Sequence, residues 1–298
     1  MKQAWDIIPD IHADMTRLET TLKGLGSEAR FAFLGDFIDA GNNQSSIDDA
    51  AVLTRVRELV EAQEAIAVMG NHELNAILYH TLGVDGVALR ERSEKNTAQH
   101  RSFIERFGVS TSQAAIWIDW FSTLPLWEER DGLRLVHACW NQPDIDLVAQ
   151  RRPEGRLEAS DFAEIAAERT DFAKAVKRLV TGPELKLPQG SHFHDSKGHQ
   201  RDHVRIAWWR ADATSWKEAA LSVANSDELP SGDLPEDRAI ALYPRSAPPV
   251  LVGHYKMTGS PCIEAERAAC LDYPATPCAY RWRGEADLKA ENIKTFRT

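Results

Sequence analysis

The sequence has few of the features that mark secreted or membrane proteins. It contains four cysteines, and none forms a C-x-x-C pair, which favours free thiols in a reducing compartment over a disulfide framework. No apolar run approaches the ~18 residues of a membrane span. The N-terminus lacks the basic and then apolar pattern of a signal peptide, because Asp6 and Asp10 interrupt its apolar segment. We therefore expect a cytoplasmic protein with no membrane partner.

Positive charge is also scarce. Lys and Arg number 35 against 45 Asp and Glu, and the formal net charge is -10. This balance argues against a general binder of nucleic-acid polymers, although a local basic pocket is compatible with it. Apolar content of 43% and charged content of 27% are typical of a globular chain. The sequence predicts one domain over residues 1–298 and leaves the oligomeric state open.

Short apolar runs alternate with amphipathic stretches in the first quarter of the chain. We predict strands at 5–9, 31–34 and 65–69 and helices at 16–25 and 48–63. This alternation predicts an α/β fold with a mostly parallel, buried sheet. Further helices are predicted at 96–107 and 112–121, followed by a hairpin that turns at Asp131-Gly132.

Residues 141–247 have the pattern of an inserted cap region. We predict a helical stretch at 157–180, a hairpin that turns at 196–198 and a Pro- and acid-rich loop at 226–238. The core strand pattern resumes at 249–252. The insert is large enough to cover a site formed by the rest of the chain.

Polar side chains follow five of the short apolar runs. The clusters are Asp10-Ile11-His12, Asp36 with Asp39, Gly70-Asn71-His72-Glu73, His137 and Gly253-His254. Ligands of α/β proteins bind at the carboxyl ends of strands, and carboxylates, amides and imidazoles bind divalent transition metals. Any one cluster has an ordinary alternative, such as a helix N-cap. Five of them in this order predict a two-metal hydrolytic site.

The residue types suggest a division of roles among these clusters. Asp10 and His12 can chelate one ion, and Asp36 has two oxygens that can bridge two ions. Asn71, His137 and His254 would add an amide oxygen and two imidazole nitrogens. Mixed oxygen and nitrogen ligation suits Mn, Fe or Zn, and the lack of a thiolate argues against a structural zinc site. Two such ions about 3.5–4 Å apart would clamp a phosphoryl group and generate a bridging hydroxide as nucleophile.

Hydrolysis of this kind also needs an acid for the leaving oxygen. His72 lies beside a predicted ligand, and Asp39 can hold it as an imidazolium. Phosphate contacts are less constrained, and the candidates are Lys95, His100, Arg101, Arg205 and Lys256. The indoles of Trp140, Trp208 and Trp209 could stack on a nucleobase or pack in the core.

The ordered motifs D-x-H, G-D-x-x-D-x-G, G-N-H-E, a separate His and G-H resemble those of the calcineurin-like metallophosphoesterases. The resemblance spans about residues 7–256 and is thin in the insert. It is nearest to the phosphoprotein-phosphatase-like branch, which includes bacterial diadenosine tetraphosphatases. It implies a central β-sandwich flanked by helices. It also implies one metal on Asp10, His12 and Asp36 and a second metal on Asp36, Asn71, His137 and His254.

The sequence departs from this branch in its phosphate contacts. Ala40 stands where the branch has a phosphate-binding arginine, and Met69 replaces the arginine that often precedes G-N-H-E. Pro9 and Ala13 replace two glycines of the first motif. Losing bidentate guanidinium contacts removes a strong part of phosphate recognition, and we expect Arg205 and Lys256 to contact the substrate instead.

These features predict a phosphoesterase that hydrolyses a small phosphomonoester or a nucleotide phosphoanhydride. One alternative is a serine/threonine protein phosphatase, which would depend on the arginines missing at Ala40 and Met69. Another is a non-catalytic module that binds metal or a phosphorylated ligand. The presence of His72 and Asp39 favours the enzyme, because a binder has no need of a leaving-group acid.

Overall fold

The computed structural model describes residues 4–40, 46–195, 198–235 and 240–297. Gly41 of the second motif, residues 196 and 197 of the predicted turn and residues 236–238 of the acid-rich loop lie outside these ranges. The strands are β1 (Trp5–Ile8), β2 (Arg30–Phe33), β3 (Ala65–Ala67), β4 (Trp127–Arg130), β5 (Leu133–Val136), β6 (Glu184–Lys186), β7 (Phe193–His194), β8 (Gln200–Arg201), β9 (His203–Ile206), β10 (Ala220–Leu221), β11 (Val250–Val252), β12 (Ala268–Cys270), β13 (Cys278–Trp282) and β14 (Ile293–Thr295).

Helices cover much of the remaining chain. They are α1 (Met15–Leu25), α2 (Asp49–Glu61), α3 (Asn71–His80), α4 (Glu94–Gln99), α5 (Arg101–Phe107), α6 (Ser112–Ser122), α7 (Gln142–Arg151), α8 (Ala159–Ala167), α9 (Asp171–Thr181) and α10 (Trp216–Ala219). None of the helices in the described ranges combines the length and the apolar character needed to cross a bilayer.

Two sheets form the centre of the molecule. The first has the order β14-β13-β1-β2-β3, and the second has the order β12-β11-β5-β4. Strands β1, β2 and β3 run parallel to one another. In the second sheet β11 runs parallel to both of its neighbours. The predicted parallel arrangement is therefore present, and antiparallel strands complete each sheet.

The two sheets pack face to face as a β-sandwich. Because side chains alternate along a strand, Trp5 and Ile7 of β1 share one buried apolar cluster with Leu135 of β5 and Leu251 of β11. Ile8, which follows Ile7 and therefore lies on the opposite face of the strand, belongs to a second cluster on the outer faces. That cluster also contains residues of the flanking helices, among them Leu18, Val56 and Leu179. The expected central β-sandwich flanked by helices is confirmed.

Local signals account for the differences in helix bounds. The helix predicted at 96–107 is two helices, which meet at His100 with φ of -95° and ψ of 16°. The stretch predicted at 157–180 is also broken, because Glu168 adopts a left-handed conformation and Thr170 caps the next helix. Helix α7, capped by Asn141, was not predicted. The Asp131-Gly132 turn is as expected, with positive φ at both residues.

The two parts of residues 141–247 pack in different apolar clusters. The first part, helices α7 to α9, contributes Ile145, Phe162 and Leu179 to the large apolar cluster that includes the sandwich's outer face. The second part contains the sheet β10-β9-β6, which has its own apolar cluster around Val204 and Trp216. We call residues 184–195 and 198–235 the small-sheet region. All four cysteines are unpaired, as predicted.

Candidate metal centre

The polar clusters lie together at the carboxyl ends of five strands. Asp10, Asp36 and Asn71 follow the parallel neighbours β1, β2 and β3, while His137 and His254 follow β5 and β11 of the facing sheet. The carboxyl ends of parallel strands lie at one edge of a sheet, so a chain reversal at each end directs these side chains into one crevice. This edge of the sandwich brings together residues up to 244 positions apart, such as Asp10 and His254.

Backbone conformation at this edge is unusual. Asp36, Asp39, His12 and His254 all have positive φ, with values from 52° to 73°. Left-handed non-glycine residues are uncommon, and strained backbone concentrates at functional sites.

Two glycines are required because the loops approach so closely. A Cβ at Gly70 would lie 2.3 Å from Asp36 Oδ1, and one at Gly253 would lie 2.0 Å from Asp10 Oδ1. Neither oxygen could stay where it is if these residues had side chains.

One group of ligand atoms surrounds Asp36, Asn71, His137 and His254. His137 Nε2 lies 3.4 Å from Asp36 Oδ2 and 3.1 Å from Asn71 Oδ1. His254 Nδ1 lies 2.7 Å from the same Asn71 oxygen. His137 Nδ1 donates to the Leu34 carbonyl at 2.7 Å, so that whenever the ring is neutral its Nε2 lone pair points into the group.

A second group surrounds Asp10, His12 and Asp36. His12 Nε2 lies 3.8 Å from Asp10 Oδ2 and 4.0 Å from Asp36 Oδ2. Because a carbonyl can only accept, His12 Nδ1 donates to Ile38 O at 3.2 Å and leaves Nε2 as a lone pair. His72 Nε2 also faces this group, 3.8 Å from Asp36 Oδ2. Asp36 Oδ2 therefore faces both groups.

Two buried imidazole nitrogens in these groups have no hydrogen-bond partner, namely Nε2 of His12 and Nε2 of His254. Buried polar atoms are normally paired, because leaving one unpaired costs free energy. In addition, His12, Asp36 and His72 form one set, and Asp36, His137 and His254 another, whose ligand atoms lie within 4.8 Å of one another. This chemistry and convergence fit divalent metal ions.

The pKa values of the two carboxylates in the crevice, Asp10 and Asp36, are shifted in opposite directions. Burial raises the pKa of Asp10 well above its ordinary value, and the nearby Asp272 carboxylate adds to the rise. Burial acts the same way on Asp36, but the charges of His137 and His72 outweigh it and hold the pKa of Asp36 well below the ordinary range. These pKa shifts apply to the site without a bound cation. The positive charge of a bound cation would hold both carboxylates ionised.

The pKa values of the imidazoles of His12 and His137 also differ from one another. Burial and the charge of His72 lower the pKa of His12 to about 3, so its ring is neutral. Burial opposes protonation of His137 too, but the Asp36 carboxylate outweighs it and raises the pKa of His137 to about 10. Without a cation, a proton is therefore held between His137 and Asp36. Because metal ligands must be deprotonated, binding a cation here would release that proton.

His72 and Asp39 form a close pair beside the metal-ligand groups. His72 Nδ1 lies 2.6 Å from Asp39 Oδ2. Burial lowers the pKa of His72, but Asp36 and then Asp39 outweigh it and raise that pKa to about 9. Burial raises the pKa of Asp39, but hydrogen bonds from His100 and His72 lower it to about 2. At neutral pH the pair is an imidazolium on a carboxylate, and the imidazolium can donate from Nε2.

Glu73 has a role that the sequence did not reveal. Its carboxylate accepts hydrogen bonds from the backbone N–H groups of Asp36, Phe37 and Gly70, at 2.8, 2.8 and 3.0 Å. It therefore joins the two loops that carry Asp36 and Asn71, and burial raises its pKa to about 7. Its position three residues after the helix N-cap is the local signal for such a bond.

A cavity of about 930 Å³ opens above the metal-ligand groups. Asp36, Asn71, His72 and His254 contribute to its lining, and Arg205 of the small-sheet region and Lys256 line it as well. The charge of Arg205 helps lower the pKa of His254, after burial, and the charge of Lys256 contributes in the same way at His12. Both predicted substrate contacts therefore face the site.

Most of the other candidates from the sequence lie away from the cavity. Lys95 lines the cavity, whereas His100 is buried behind Asp39 and Arg101 is outside the lining. Trp208 is fully buried and donates to Ala138 O at 3.0 Å. Trp209 and Trp140 are also buried. The three indoles therefore pack in the core, which is one of the two alternatives that the sequence left open.

Comparisons with known proteins bear on the family and the fold. The sequence profile of the calcineurin-like phosphoesterase family matches residues 6–216. A yeast (Saccharomyces cerevisiae) protein serine/threonine phosphatase with similarity to human phosphatase PP5 has a similar fold, with a TM-score of 0.51, 12% identity, and coverage of 100% of this chain and 80% of that chain. A cold-active protein tyrosine phosphatase also has a TM-score of 0.51 and 12% identity, with coverage of 99% and 79%.

One curated protein also matches the sequence. It is named formate–tetrahydrofolate ligase, from Methylobacterium nodulans, and is 26% identical over 219 residues, which are 73% of this chain. The chain spans 35% of the length of that relative, so the match concerns about a third of a longer protein.

Proposed function

The chain belongs to the calcineurin-like phosphoesterases, and we propose that it hydrolyses small phosphorylated molecules by means of two divalent metal ions. One observation supports this most. Asp36 Oδ2 faces two groups of ligand atoms at once, at the floor of a cavity that His72 also lines.

The proposed ligands follow from the contacts. Asp10, His12 and Asp36 would hold one ion, and Asp36, Asn71, His137 and His254 would hold the other. Their oxygen and nitrogen atoms suit Mn, Fe or Zn. When bound, the two ions supply Lewis-acid stabilisation of the phosphoryl charge and lower the pKa of water so that it can act as the nucleophile.

The remaining steps fall to side chains of the protein. His72 Nε2 is proposed to give its proton to the leaving oxygen, while Asp39 holds the ring at Nδ1. Arg205 and Lys256 would bind phosphate oxygens in place of the arginine that Ala40 replaces. The small-sheet region would form the cap, since Arg205, His203 and Arg201 line the cavity.

A cytoplasmic location is part of the same proposal. Its support is the set of four unpaired cysteines, three of which are buried, because secreted domains more often pair such residues.

The preferred class of substrate distinguishes the proposed phosphoesterase from the alternative, a serine/threonine protein phosphatase. With Mn-loaded protein, we expect kcat/KM for small phosphomonoesters and dinucleoside polyphosphates to exceed that for phosphoserine peptides, because a peptide phosphatase depends on the guanidinium contacts missing at Ala40 and Met69. The test is a side-by-side kinetic comparison of the three substrate classes. If phosphopeptides are the best substrates, the protein-phosphatase alternative replaces this proposal.

The same comparison in the Arg205→Gln variant shows whether the cap binds the substrate. A charge-assisted hydrogen bond contributes about 1.5–3 kcal/mol, so kcat/KM for small substrates should fall about 10–100-fold, mainly through KM. Arg245→Gln is the matched control, because Arg245 is exposed and pairs with Asp212 outside the cavity. An Arg205→Gln variant as active as this control would remove Arg205 from the substrate contacts.

A further inference from the structure

Behind His72 lies a continuous series of hydrogen-bonded groups. Asp39 Oδ2 lies 2.6 Å from His72 Nδ1, and Asp39 Oδ1 lies 2.6 Å from His100 Nδ1. His100 Nε2 lies 3.1 Å from His80 Nε2. At the far end, the backbone N–H of Ser110 approaches His80 Nδ1 at 3.4 Å. We call the side chains of His72, Asp39, His100 and His80 the Asp39 chain.

The backbone N–H of Ser110 can only donate and the Asp39 carboxylate accepts, and together these groups determine which ring nitrogen of each histidine carries the proton. The N–H of Ser110 can only donate, so His80 Nδ1 is the acceptor and His80 carries its proton on Nε2. That proton points at His100 Nε2, which must then be the acceptor. His100 therefore has its proton on Nδ1 and donates it to Asp39 Oδ1. Asp39 Oδ2 is left to accept from His72 Nδ1, so the Nε2 side of His72 faces the cavity.

The charge state of His80, at the far end of the Asp39 chain, agrees with this arrangement of protons. Burial is the main cause that lowers the pKa of His80, to about 4. His80 is therefore neutral at physiological pH and can accept from Ser110. The groups around it include Arg92, whose charge acts in the same direction, and Asp39, whose charge opposes it.

Packing holds the middle of the Asp39 chain rigid. His100 is 1% exposed, and its ring stacks on Phe103 with centroids 4.7 Å apart and planes 16° apart. Tyr79 meets the same ring edge-on at 5.3 Å. The junction of α4 and α5 sets the backbone of His100. A ring packed against two aromatic side chains can direct a hydrogen bond with little freedom to rotate.

We propose that His100, supported by His80, is a positioning residue: it occupies the outer oxygen of Asp39, so that Asp39 holds His72 with Nε2 directed at the leaving oxygen. This inference rests on the proposed function, in which His72 is the leaving-group acid. His100 itself touches neither the cavity nor the metal-ligand groups.

The test compares two replacements of His100 on two substrates of the Mn-loaded protein. His100→Leu fills a similar space but has no donor. His100→Asn can place its amide N–H near the original Nδ1 and still donate to Asp39. An alkyl phosphate needs protonation of its leaving oxygen, whereas p-nitrophenyl phosphate hardly does.

We expect His100→Leu to lower kcat for the alkyl phosphate about tenfold or more, an effect typical of outer hydrogen-bond partners of site histidines. Hydrolysis of p-nitrophenyl phosphate should change less than about twofold, and His100→Asn should regain most of the alkyl activity. Equal losses on both substrates at full metal content, or no recovery in His100→Asn, would overturn the inference and leave His100 a packing residue.

The tautomers supply a readout that does not depend on activity or on either variant folding well. In ¹⁵N-histidine NMR spectra of the native protein, His100 should carry its proton on Nδ1 and His80 on Nε2. The opposite tautomer at His100 would overturn the inference.

Failure of the proposed function would look different from failure of this inference. If the His72→Asn variant shows no dependence on the leaving group, the acid role of His72 is wrong and the inference falls with it. If His72→Asn shows that dependence and His100→Leu does not, the inference alone fails.

Discussion

Replacing Asp36 by alanine is expected to remove metal from both positions and to abolish hydrolysis. Asp36 Oδ2 is within 4.0 Å of nitrogens of His12, His72 and His137, and Asp36 belongs to both sets of converging ligand atoms. Metal ions contribute several kcal/mol to such reactions, and each 1.36 kcal/mol is tenfold in rate. We therefore expect kcat to fall about 10³-fold or more. Metal analysis of the purified variant and its rate on p-nitrophenyl phosphate measure the two effects.

Asp36→Asn serves as the matched variant. Alanine at φ of 53° adds backbone strain, whereas asparagine tolerates this conformation and keeps one oxygen. Its metal content should lie between those of the alanine variant and the native protein. Two fully bound ions in Asp36→Ala would contradict the assignment of Asp36 as the shared ligand.

Replacing His72 by asparagine is expected to slow alkyl phosphates far more than aryl phosphates. General acids contribute about 10²–10⁴-fold, and a poor leaving group needs that proton most. The loss should therefore approach this range on an alkyl phosphate and be small on p-nitrophenyl phosphate. Steady-state kcat on both substrates, at equal metal content, is the measurement.

The aryl substrate is the internal control for this variant, because its rate reports on the metal ions and the fold without the acid. His72 N–H donates to Asp36 Oδ1 at 3.0 Å through the backbone, and asparagine keeps that bond. Equal losses on the two substrates would show that His72 has another role.

Much of the site could be predicted because its signals are local. A short apolar strand followed by Asp, Asn or His is visible in sequence, and parallel pairing then forces those ends together. The expectation that Asp10, Asp36, Asn71, His137 and His254 meet in one crevice depended only on those two facts. The close pairing of His72 with Asp39 also followed from residue type, since a carboxylate commonly orients a histidine in this way.

Other features depend on contacts between distant segments and have no local signal. His100 interrupts a helix that periodicity alone predicts to be continuous, and its partner Asp39 is 61 residues away. Residue type alone allows Trp208 either to stack on a ligand or to pack in the core, and only its contacts with Ala138 and Tyr255 decide for the core. Helix α7 was missed because its inward face has few apolar residues, chiefly Ile145 and Val148.

If two divalent ions at the Asp36 site carry out phosphoester hydrolysis, one titration should detect both of them. Metal-stripped protein is titrated with Mn²⁺, and the bound metal and the rate on p-nitrophenyl phosphate are measured in the same samples. We predict saturation at two ions per chain, with the rate rising mainly as the second ion binds. Saturation at one ion or none, or hydrolysis that is already complete without metal, would contradict the account.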